Sequence, residues 1–216
     1  MKKVLFAVLI TVAVSVELLA GSPTWNTGYV ILADGRKVEG KLSYNWKVEV
    51  VQVRLNNGLV KAYSAGNADS FAFYDANQQI LRRFSSVELP KPEQFSHPVF
   101  LEELATGPLT VYRRLRHARE FIKITRPSIY SDDTELMKDI DNFNYMVVNR
   151  DGQFFDLAMF TADLWPMMAT YQEQLSDYIK SRDVDTSTTL ARLLLINQYN
   201  YLSADKSASL KTSRAD

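Results

Sequence analysis

The sequence predicts an α+β protein: an antiparallel, strongly bent or barrel-like β-domain of about ten short strands, followed by a C-terminal helical hairpin. Three observations carry this expectation. Period-two alternation recurs through most of the chain. Asp-Gly and Asn-Gly dipeptides fall between the alternating runs. Near residue 161 the apolar period lengthens to that of a helix.

The first hairpin joins Tyr29-Val30-Ile31-Leu32 to a run in which Val38, Gly40, Leu42 and Tyr44 share one face and Lys37, Glu39 and Lys41 the other. Asp34-Gly35 lies between them, and such a pair tolerates the positive φ that a tight hairpin turn requires. The unit recurs: Val51, Val53 and Leu55 alternate with Gln52 and Arg54, then Asn57-Gly58 turns into residues 59–63. Further strands are expected at 70–74, 80–89, 99–104, 109–114, 120–124, 145–148 and 153–157. Pro90, Pro92 and Pro98 break the ladder between two of them, since proline cannot donate to it.

Leu164, Met168, Tyr171, Leu175, Tyr178 and Ile179 then line one face of a helix, with Asp163 as the expected N-cap and Pro166 in its first turn. A second helix is expected to bury Leu190, Leu193, Leu194, Asn197 and Tyr201, capped by Thr186 or Ser187. The resulting division is a signal peptide at 1–20, a β-domain at 21–160, a docked helical hairpin at 161–202 and a polar, disordered tail at 203–216.

The leader is read from Met1-Lys2-Lys3, an apolar run over 4–14 and the small residue before Gly21. Glu17 interrupts the run too early for a spanning helix, which needs about 20 apolar residues. The expected location is therefore outside the cytoplasm, in the periplasm or beyond it, with no transmembrane span after cleavage. The 216 residues carry 25 Lys+Arg against 25 Asp+Glu, a balance that gives no global field for nucleic acid. The absence of cysteine excludes disulfides, thiol catalysis and thiolate metal sites.

The segment from Gly28 to Gly40 (GYVILADGRKVEG), the run Phe100-Leu101-Glu102-Glu103-Leu104-Ala105-Thr106-Gly107 with Val111-Tyr112, and Tyr145-Met146-Val147-Val148 up to Phe155 occur in that order. Two helical patterns closing on Gln198-Tyr199-Asn200 follow. This order resembles that of a family of exported proteins from Bacteroidota whose activity is uncharacterised. The resemblance spans about residues 28–201 and implies an envelope location and a strand-then-helix-pair layout. It carries no catalytic residues.

Sequence motifs for chemistry are scarce. His97 and His117, the two histidines, lack zinc-motif spacing, and no Gly-x-Ser-x-Gly elbow or glycine-rich phosphate loop occurs. Glu102 and Glu103 are strand neighbours pointing to opposite faces, so they cannot jointly flank one glycosidic bond. One is expected exposed and the other hydrogen-bonded. Asp132, Asp133, Glu135, Asp139 and Asp141 form an acidic stretch without the glycine and final glutamate of a calcium loop. No cofactor or metal is expected.

The strongest local charge is Arg113, Arg114, Arg116 and Arg119 around His117, read as the wet tip of a hairpin and as the candidate binding segment for an anionic envelope component. The expected function is a non-catalytic binding or structural module of the cell envelope with a protein or glycan partner. The alternative is a carboxylate-dependent hydrolase of envelope polysaccharide.

Overall fold

The computed structural model describes residues 24–90, 97–116 and 139–212, with side chains as far as residue 204. The expected leader, the strand at 120–124, His117, Arg119 and most of the acidic stretch lie outside these residues.

Among the described residues ten strands form one antiparallel sheet: β1 (Asn26–Leu32), β2 (Lys37–Asn45), β3 (Val50–Arg54), β4 (Val60–Ser64), β5 (Ala68–Asp75), β6 (Ile80–Val87), β7 (Val99–Ala105), β8 (Leu109–Leu115), β9 (Phe143–Asn149) and β10 (Phe154–Asp156). Their order is β10-β9-β8-β7-β6-β5-β1-β2-β3-β4. Two meanders are thus joined where β5 returns to pair with β1, Val30 lying opposite Phe71. The expected turns are present, with Gly35 and Gly58 at φ 81° and 83°.

Among the described residues the sheet has two edges, β10 and β4, and is open rather than a closed barrel. It is nevertheless strongly curved. Trp46, just beyond β2, has its ring centroid 5.6 Å from that of Phe143, which opens β9. These strands stand six places apart, about 29 Å in a flat sheet at ~4.8 Å per strand, so the sheet must bring one face together on itself. Gly28 and Gly40 lie opposite each other in β1 and β2. A Cβ on either would overlap a neighbouring backbone carbonyl, Ala72 O or Arg54 O, so only glycine permits this close approach of strands.

The inward face is aromatic. Tyr44 touches Trp46, Phe71, Phe84 and Phe100 with ring centroids 4.9 to 6.1 Å apart. Such pairs add about 0.5–1.5 kcal/mol each beyond the area that they bury.

The helical half departs from the expected pair of regular helices. A 3₁₀ turn (Leu157–Met159), a π turn (Phe160–Leu164), a single α turn α1 (Trp165–Met167) and a second 3₁₀ turn (Ala169–Tyr171) precede α2 (Gln172–Ser181). Pro166 has no N–H to give the ladder, and the N–H of Trp165 reaches back five residues to Phe160. Asp163 is therefore not an N-cap. Asp156 takes that role one segment earlier, its carboxylate accepting from the N–H of Ala158. Leu164, Met168 and Leu175 are buried as expected, and Tyr171 is half-buried against Tyr199.

α3 (Thr189–Thr212) is longer than expected and continues through much of the segment read as a disordered tail. Its cap is Thr188, whose hydroxyl accepts from the N–H of Ala191. Its buried residues are Ala191, Leu195, Ile196 and Asn200, whereas Leu190, Leu194 and Tyr201 of the expected stripe are 58%, 42% and 67% exposed. The run Leu190 to Ile196 is apolar on several sides, so its period fits more than one phase, and docking on the sheet selects the other.

Candidate binding site

Two places gather charge. The first is sealed inside the curved sheet. Glu102 on β7 lies opposite Arg113 on β8, with Phe84 of β6 across from it on the other side. One carboxylate oxygen accepts from Arg82 Nη1 at 2.6 Å and the other from Arg113 Nε. Arg82 also donates from Nε to Asp75 at 2.9 Å and from Nη2 to Gln78 at 2.7 Å. Arg113 stacks over Phe143 at 4.2 Å. Two guanidinium groups thus meet two carboxylates, and the charges balance. Beside them Arg114 Nε donates to Glu49 at 2.6 Å, and Glu49 is held buried at a positive φ of 54° in the turn after β2.

This geometry corrects the reading of the arginine segment as a free, wet tip. Arg113 and Arg114 are ion-paired with Glu102 and Glu49, their side chains only 12% and 17% exposed. Glu102 and Glu103 do point apart, but both are hydrogen-bonded: Glu102 is buried with its arginines, and Glu103 accepts from Ser85 Oγ at 2.6 Å. Arg119 lies outside the described residues. Of the predicted arginines among the described residues, Arg116 stands exposed, just past the end of β8.

Arg116 belongs to the second place, a cavity of about 290 Å³ where β8 and β9 end beside the start of α3. Its walls include Arg116, Asn144, Tyr145, Asp156, Thr189 and Arg192. Arg192 is held firmly: Nε donates to Thr186 O at 3.1 Å, and Nη1 to Leu157 O and Ala158 O at 3.3 and 3.2 Å. All three acceptors are backbone carbonyls, so its charge is not neutralised by a carboxylate, and Nη2 is unspent among the described residues. Arg116 forms no ion pair or side-chain hydrogen bond among the described residues. Asp156 uses Oδ1 on Ala158, leaving Oδ2 as an acceptor.

Burial pushes the Tyr145 phenol above its ordinary range, an effect that the neighbouring Arg113 partly offsets. Tyr145 donates to Ile140 O at 3.1 Å. The positive end of the α3 dipole adds to the cationic character beside Thr189.

Sequence reasoning reached Arg116 and missed Arg192, Asp156 and Thr189. The faint signal for them was a lone cation at the start of an apolar helix, close behind paired threonines. Among the described residues no three potential metal ligands cluster, and no helix is long and apolar enough to cross a membrane.

What the fold and these two places define is an open, curled antiparallel sheet with an ion-paired interior, closed by a helical segment. No family model matches the chain, and neither a curated protein nor a solved structure is significantly similar to it.

Proposed function

We infer that this is an exported, non-catalytic binding module of the cell envelope, with a protein or glycan partner. One observation supports it above others: Glu102, Asp75 and Glu49 are held by arginine, while among the described residues the cations at the open cavity have no carboxylate partner. Glu102 accepts from two guanidinium groups, Asp75 from one of these and Glu49 from Arg114. A glycosidase needs one carboxyl free to give a proton and another free to attack or to activate water. Carboxylates spent on ion pairs serve the fold instead. Export rests on the basic start and short apolar run of the leader.

The hydrolase reading draws on a different observation. Glu102 and Asp75 share the guanidinium of Arg82, which makes them close neighbours. Incubating the full chain with envelope polysaccharide separates the two. Release of new reducing ends that disappears in Glu102→Gln supports the enzyme. Capture of an envelope component without cleavage supports the module. N-terminal sequencing of the protein recovered from the envelope should begin near Gly21, and a start at Met1 rules out the cleaved leader.

A further inference from the structure

Granted a binding module, the geometry points to the cavity beside the start of α3 as a site for a single sugar bearing an oxyanion, a carboxylate or a phosphate. Three features select that chemistry. The two guanidinium groups of Arg116 and Arg192 outnumber the one carboxylate of Asp156, so the cavity carries net positive charge. Arg192 is fixed in advance by three backbone carbonyls and still offers the N–H groups of Nη2, charge-assisted donors to an oxyanion. Asp156 Oδ2, the amide of Asn144 and the hydroxyl of Thr189 add polar partners of the kind that ring hydroxyls need.

A volume of about 290 Å³ lies at the small end of ligand sites, which run to roughly 300–1,000 Å³. It suits one ring rather than a length of polymer. An isolated oxyanion would leave Asp156 facing it without compensation, whereas a sugar hydroxyl would donate to that carboxylate.

Arg116 makes the test clean, because removing its charge breaks no internal bond among the described residues. The full chain is titrated by calorimetry with glucuronate, glucose 6-phosphate, glucose and inorganic phosphate. At least one anionic sugar should bind ten times or more tighter than glucose and than inorganic phosphate. The arm that binds distinguishes a carboxylate from a phosphate source. Arg116→Gln should weaken that binding tenfold or more with an unchanged melting temperature. Asp156→Asn, which retains the cap on Ala158, should weaken the anionic sugar and spare inorganic phosphate.

Equal binding of inorganic phosphate and the anionic sugars overturns the sugar assignment. Unaltered affinity in Arg116→Gln, or no binding of either anionic sugar at 10 mM, overturns the site. Those failures leave capture of an envelope component untouched, and release of reducing ends would instead remove the binding module itself.

Discussion

At the scale of single residues, the buried charges decide most. Replacing Glu102 by Ala takes the carboxylate from Arg113 and leaves Arg82 with Asp75 alone, and loss of one partner of a buried ion pair costs about 3–5 kcal/mol. Urea unfolding should show that loss, and a change under 1 kcal/mol would mean that water reaches the pair. Tyr145 gives a pH signature. Its folded pKa is raised, so the stability that it contributes is full below the ordinary tyrosine value and falls as pH rises through the folded one. Tyr145→Phe should therefore flatten the decline in melting temperature above about pH 10. Little of this was legible in the sequence. Four arginines in seven residues read as an exposed cluster because local charge density says nothing of partners 11 and 65 residues away. The cavity was partly legible through Arg116. Arg192 was hidden, since nothing local says that a helix start will meet the end of β8.

Among the elements, hairpins were readable and helical phase was not. Asp34-Gly35 and Asn57-Gly58 fix turns through local backbone preference, so β1 to β4 follow directly from alternation. The face of α3 depends on what it docks against, and several apolar residues in a row leave the choice to tertiary packing. Leu175 of α2 is fully buried, and Leu175→Ala should destabilise by about 2–5 kcal/mol in thermal unfolding, whereas Leu194→Ala on the exposed side should change it by less than about 0.5. Asn200 joins α3 to the sheet: its amide donates to Leu109 O at 2.7 Å and accepts from Leu109 N at 3.1 Å. Asn200→Ala should cost about 1–3 kcal/mol, because both backbone groups are buried. Retained stability would show that water replaces the amide. Gly107 belongs to this joint, since a Cβ there would fall 2.5 Å from Asn200 Cγ.

For the whole molecule, the curl makes one cooperative unit of two meanders. The α+β class and the antiparallel sheet were legible from alternation and turn spacing, but the return of β5 to β1 was not, because no local signal names a partner strand. Trp46 against Phe143 and Glu49 against Arg114 tie the β2–β3 turn to β9 and β8. Urea transitions followed by near-ultraviolet and far-ultraviolet circular dichroism should therefore coincide. In Glu49→Ala the near-ultraviolet signal should be lost first, and coincident curves in that variant would show that the aromatic contacts suffice.

The Asn200 joint also sets a timetable. Leu109 and Asn200 are 91 residues apart, and contacts of such separation form late because a long loop must close first. A growing chain can assemble its early hairpins, yet the start of β8 lacks its amide partner until residue 200 has been made. Completion waits on the far end. Under the export proposed above, which threads a chain through a narrow pore before it folds, that delay would keep the polypeptide in a passable state for most of its synthesis.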